Sequence, residues 1–237
     1  MEKEGKASRV SSGAKYLKSG VYGGLDGIVT TFAVVAGVVG ANLAASIILI
    51  MGFANLIGDG ISMAIGDYLS TKSEGEYYKS KKESEVVEML KNPKRKKEEI
   101  EKVLISKGFK KSDAKRISEI ISKNKNFEAD TILHDELGLV YENVHPEKNA
   151  VVTFFSFLIF GMIPLLIFVI AAVFNSNIPN QFFWASLLSG ISMFTLGAVK
   201  SRVTKKSWVE SGIQTLVVGG IAATAAYFVG EFLARLI

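Results

Sequence analysis

Three long apolar runs, separated by charged segments, organise this chain. Val21 to Thr71 is interrupted only by Asp26, Asp59 and Asp67; Ala150 to Val199 carries no charge; Ser207 to Phe232 carries only Glu210 and Glu231. The hydrocarbon core of a bilayer takes about 20 apolar residues per helix. The first run therefore holds two spans, near 21–41 and 44–70, turning at Ala41-Asn42. The second holds two more, near 150–174 and 181–199, joined through Asn175 to Asn180, and the third holds one, near 209–232. The pattern predicts an all-α membrane protein with five transmembrane helices in a lipid bilayer. The first apolar stretch is too long for the core of a signal peptide and contains Asp26, which argues against a cleaved leader. Gly20/Gly24, Gly23/Gly27 and Ala36/Gly40 are small residues at four-residue spacing, suited to close helix packing. Pro164 predicts a kink in the third span.

Charge gives the spans a direction. Every Lys and Arg except Arg235 lies in residues 1–20, 72–149 or 200–206. With five spans these segments share one side, and the basic bias makes that side cytoplasmic. Trp184 and Trp208 then fall at span ends on opposite faces, where indole rings prefer the interface. The expected organisation is a cytoplasmic N-terminal segment 1–20, spans 1 and 2 over 21–71, a cytoplasmic insert over 72–149, and spans 3 to 5 over 150–237. The net charge of +5 and pI near 9.2 follow from this topology, so no nucleic-acid partner is expected.

Residues 72–149 hold 18 basic and 16 acidic residues. Span 2 should run on as a helix through Lys72–Lys91 and stop at Asn92-Pro93. Three further helices are expected: Lys94–Ser106 ending at Gly108, Asp113–Lys123 capped by Ser112, and Phe127–Leu137 ending at Gly138. Ile100, Val103 and Leu104, then Ile117, Ile120 and Ile121, then Ile132, Leu133 and Leu137 have amphipathic spacing. This predicts a small helical domain, with Tyr141–Glu147 leading back to the membrane.

The chemistry available is narrow. The absence of cysteine excludes thiol catalysis, zinc-thiolate sites and Fe–S clusters. No phosphate-binding loop is present, both histidines lie outside the spans, and no enzyme is expected. No organic cofactor is expected either. Intramembrane acids are costly, roughly 2.5–3.5 kcal/mol each on insertion scales, and so default to function. Asp26 lies about five residues into span 1. Asn55, Asp59, Met63 and Asp67 follow at four-residue spacing along one stripe of span 2, the arrangement a cation pathway needs. A snorkelling or capping role fits Asp67 equally well, and Met63 alone reads as packing. In the insert, Glu85/Glu88 and Glu98/Glu101 are i,i+3 pairs, with Glu99 alongside, and Glu128, Asp135 and Glu136 with His134 form a third acidic group. Oxygen donors with an imidazole suit Mn²⁺ or Fe²⁺. Such helices are also commonly just solvated, so spacing alone leaves both readings open.

Tyr22-Gly-Gly-Leu-Asp26-Gly-Ile-Val-Thr-Thr-Phe-Ala-Val-Val-Ala-Gly37, Ile61-Ser-Met63, Asp67-Tyr-Leu-Ser-Thr-Lys-Ser-Glu74 and Glu136-Leu-Gly-Leu139 resemble the vacuolar iron transporter family. The resemblance covers almost the whole chain. It implies a homodimeric divalent-metal/proton antiporter that removes Fe²⁺ from the cytosol, with Mn²⁺, Co²⁺ or Zn²⁺ as related substrates. It further implies an ion path between protomers lined by the first spans. Asp26 and Met63 match the family's first-span aspartate and second-span methionine. Glu85 and Glu88 match the first Glu-x-x-Glu of its cytoplasmic metal-binding domain, and Glu136 the glutamate before the Leu-Gly-Leu turn. Asn55 stands where the family has a second-span glutamate, with Asp59 one turn on. In the second Glu-x-x-Glu, Glu99 fits one member and Lys96 occupies the other, while Glu98/Glu101 restore the spacing out of phase. Ile132-Leu133 replace a Met-Glu pair. The expected location is the cell membrane, or a vacuolar membrane in a eukaryote. The rival expectation is a membrane-anchored metal-binding or sensing protein without transport.

Overall fold

A computed structural model describes residues 2–140, 145–204 and 207–236, with the side chains of residues 2–12, 14, 203 and 204 left aside. Tyr141 to Val144 of the expected return segment, and Lys205 and Lys206 of the last basic loop, lie outside the described residues. So do the side chains of Lys3, Lys6 and Arg9.

The described chain is helical throughout. Helix α1 covers Glu2–Gly40 and α2 covers Ala45–Lys91. Three shorter helices follow: α3 (Pro93–Ser106), α4 (Lys111–Ile121) and α5 (Lys125–Asp135). After them come α6 (Pro146–Gly161), α7 (Leu166–Val173), α8 (Gln181–Thr204) and α9 (Trp208–Ala234). A 3₁₀ turn at Ile163–Leu165 separates α6 from α7. Proline at 164 lacks the N–H that an unbroken helix would need there, and the span changes pitch accordingly. Five helical segments are long and apolar enough to cross a membrane: Lys15–Gly40, the apolar part of Ala45–Lys91, Pro146–Val173, Gln181–Arg202 and Trp208–Ala234. The turns between spans use asparagine in the left-handed region, Asn42 at φ +55° and Asn175 and Asn180 at +47° and +54°. Asparagine tolerates that region better than other residues bearing a Cβ.

The chain divides into two compact units, Met1–Leu69 with Val144–Ile237, and Ser70–Asn143. In the first, α1 is the central helix, packed against α6, α8 and α9. Its glycines make the close approaches. A Cβ on Gly23 would lie 2.6 Å from the Thr153 carbonyl oxygen, and one on Gly27 would collide with the Phe157 carbonyl. Gly40 meets the Tyr227 carbonyl on α9 in the same way. Two apolar clusters flank these contacts. One gathers Ile28, Phe32 and Ala36 with Met193, Leu196 and Ala223. The other gathers Val35, Val38 and Ile48 with Leu165, Phe168 and Ala185.

The second unit has its own core of Met89, Ile100, Leu104, Ala114, Ala129 and Ile132. Of the amphipathic positions, Ile120 and Leu137 are exposed rather than inward, at 61% and 47%. Alanines at 114 and 129 let the helices approach, which leaves no room beneath them for every isoleucine. Helix α4 begins two residues earlier than expected, with Lys110 rather than Ser112 at the N-cap and no side-chain cap. Helix α5 also starts early, because the Asn124 side chain accepts a hydrogen bond from the Phe127 amide at 3.2 Å. It ends at Asp135, where Gly138 at φ +65° lets the Leu139 amide turn back to the Leu133 carbonyl at 2.8 Å.

Candidate functional site

The intramembrane polar groups belong to the first unit. Asp26 on α1 is half-buried and lies within electrostatic reach of Asp59 on α2, so two helices bring two carboxylates into one another's field. In a low-dielectric bundle such a pair repels unless a cation or proton stands between its members. Asn55, Met63 and Asp67 share the stripe of α2 with Asp59, all half-buried, while Ile57, Ile61 and Ile65 beside them are exposed. The Asn55 Nδ2 is buried and has no hydrogen-bond partner among the described residues. Asp67 accepts a hydrogen bond from Thr153 Oγ1 on α6 at 2.5 Å. Thr153 is fully buried, and its backbone is the surface against which Gly23 packs. One residue of α6 thus touches α1 three residues before Asp26 and holds an acid of the α2 stripe. Ser156, one turn further along α6, donates to the Gly20 carbonyl. Nothing in the spacing of the acids distinguishes Thr153; its place emerges only when α6 is laid against the glycine stripe.

The carboxylates of the second unit do not gather into one site. Among the described residues, no group of three or more His, Asp or Glu is arranged to hold a metal ion. Glu85 and Glu88 on α2 converge with Glu99 on α3, but on the ammonium of Lys96. Nζ lies 2.8 Å from Glu85, 3.4 Å from Glu88 and 2.7 Å from Glu99. Arg95 closes the outer side, 3.3 Å from Glu88 and 3.1 Å from Glu99. Burial by itself would push the Lys96 pKa down. Hydrogen bonds to Glu85 and Glu99, with the charge of those carboxylates, outweigh burial and raise it above the ordinary lysine value.

The remaining acids stand apart. Glu98 is exposed, and Glu101 accepts from Ser118 at 3.3 Å. Asp135 pairs with Lys107 and with His134 Nδ1, the latter at 2.7 Å, while Glu136 is exposed at the C-cap of α5. Glu128, expected with His134, Asp135 and Glu136 as a third acidic group, differs from them in burial. It is fully buried on α5, with one oxygen 2.9 Å from Lys125 and the other without a hydrogen-bond partner among the described residues.

Comparison with known proteins bears on the whole chain. A family model described as the VIT family matches residues 17–231. A protein of Toxoplasma gondii named vacuolar iron transporter is 36% identical over 234 residues, covering 96% of this chain and 78% of its own. A vacuolar iron transporter of Plasmodium berghei is 33% identical, covering 92% and 82%. Vacuolar iron transporter 1 of Oryza sativa is 28% identical, covering 87% and 81%. These relatives are named as transporters, not as enzymes. Five membrane-crossing helices and a match over nearly the full length make this chain a multi-pass membrane protein of the VIT family.

Proposed function

We propose that this protein carries Fe²⁺, with Mn²⁺ as a second substrate, out of the cytoplasm in exchange for protons. Iron or divalent-metal transport follows from the family and from the names of the relatives. Those names also favour a vacuolar membrane where the cell has one, and the plasma membrane otherwise. The observation that carries the mechanism is that the Asp26 carboxyl of α1 and the Asp59 carboxyl of α2 lie within electrostatic reach of one another. A carboxylate in that field takes either a divalent cation or a proton, and alternation between the two couples their opposite movements. Asp59 stands in for a carboxylate at Asn55, and Met63 adds a thioether one turn on. The exposed apolar residues beside this stripe suit a homodimer in which two such stripes enclose the path. The positive-inside bias argues for a cytoplasmic N-terminus and a cytoplasmic 72–149 segment. There Glu98, Glu101 and Glu136, with His134 and Asp135, collect ions. The group of Glu85, Glu88 and Glu99 has its state set by Lys96.

Fe²⁺ uptake into proteoliposomes under reducing conditions, with and without an imposed proton gradient, tests this reading. The expected result is gradient-dependent flux with protons moving the other way, falling to background in Asp26→Asn while helix content is unchanged. Robust flux in that variant removes Asp26 from the mechanism. Flux indifferent to the gradient describes a channel. Fe²⁺ binding without flux describes a membrane-anchored metal-binding protein.

A further inference from the structure

Lys96 is 4% exposed although it sits in the first turn of α3, within a Lys94-Arg-Lys-Lys97 run that could have solvated every ammonium. Two forces oppose that placement. Burial strips the ammonium of water, and a cation in the first turn faces the positive end of the helix dipole. Its neighbours Lys94 and Arg95 are exposed. Lys96 turns inward because three carboxylates meet it, two from α2 and one from its own helix. The ammonium donates to Glu85 at 2.8 Å and stands in ion-pair range of Glu88 and Glu99. The hairpin that makes this possible is set by Asn92-Pro93, which ends α2 and starts α3 with the chain folded back. Lys96 and Arg95 together answer two of the three negative charges.

A divalent cation competing for this position would need oxygen ligands at about 2.0–2.6 Å, closer than the ammonium holds them. It would also have to expel a lysine whose only other course is to lie buried and unpaired or to leave the core. We propose that Lys96 is a built-in counter-ion that takes the place of a divalent metal among Glu85, Glu88 and Glu99. It keeps the α2–α3 hairpin closed without metal, and neutralising Lys96 converts the centre into a divalent-metal site. The supply of metal then does not govern this part of the unit, and its ion-collecting role is left to the acids outside this group.

The test uses the purified full chain in detergent, with Mn²⁺ as the probe and bound ions counted from the loss of the free-ion paramagnetic resonance signal. Wild type and Glu85→Gln, which keeps Lys96, are expected to bind the same number of ions. Lys96→Gln is expected to bind one more ion per chain, lost again in Lys96→Gln/Glu85→Gln. Lys96→Met, which keeps the alkyl stem, serves if the glutamine variant does not fold. Fewer ions on Glu85→Gln than on wild type overturns the proposal, and so does a folded Lys96 variant that gains none. The comparison of wild type with Glu85→Gln decides the matter even if neither Lys96 variant folds, and equal counts there sustain it.

Discussion

Asp135 is held below the ordinary aspartate value chiefly by a hydrogen bond from Lys107, and then by one from His134. A carboxyl with a lowered folded-state value stabilises the fold above its ordinary value and loses that contribution as pH falls through the lowered one. Asp135→Asn should therefore melt below wild type at neutral pH, and the gap should close once pH drops well under 3.8. Lys107 is half exposed, so the gap at neutral pH is about 0.2–1 kcal/mol. Thermal melts of both proteins across that range, in one detergent, check it; a gap that persists in acid shows that the amide costs packing instead. Thr153→Val should cost about 1–2 kcal/mol by taking a donor from Asp67, read from the same melts. Individual side chains were unevenly legible. Asp26 and Asp59 stood out because any charge in an apolar run does. Lys96 did not, because in a run of basic residues each one reads as solvated surface. The clue was Pro93, which folds positions 96 and 99 back toward 85 and 88.

At the scale of helices, the glycines of α1 set how near its neighbours come. A methyl added at Gly27 meets backbone on α6, which cannot rotate away as a side chain could. Gly27→Ala is expected to destabilise by about 1–3 kcal/mol, the usual cost of overpacking. Gly220→Ala on α9 meets nothing within 4 Å and should be neutral or gain up to about 1 kcal/mol from helix propensity. Melting the two variants side by side separates contact from propensity, and equal effects would remove the close approach as the cause. Helix ends were read well where Pro or Gly marked them at Asn92-Pro93, Gly108 and Pro164, while the helix before Gly138 stops two residues short of Leu137. They were read less well at Lys111 and Lys125, where no such residue stands. Spacing correctly turned Ile100, Leu104, Ile132 and Leu133 inward. It misplaced Ile120, because the alanines that draw these helices together carry almost no hydrophobic signal of their own.

For the whole molecule, the number of spans was legible because the thickness of a bilayer imposes one length on each. The partners of α1 were not, since helix pairing depends on surface relief rather than hydropathy. Those partners lie far along the chain. Helix α1 packs against α6, α8 and α9, and Gly40 and Gly37 meet Tyr227 and Gly230 near the other end of the sequence. The 70–143 unit, by contrast, is built from neighbours: α3 packs on α4 and α5, and α4 on α5. A ribosome at about 5–20 residues per second needs roughly 10–30 s to go from Gly40 to the start of α9. During that interval the glycine face of the first span has no α9 to meet and is held in the membrane by lipid or by a chaperone. The soluble-looking unit can finish meanwhile. Chain release cut short at residue 207 should yield a protein that membrane proteases clear several-fold faster than the full chain in a pulse-chase. The last span to be made is the one that closes the first.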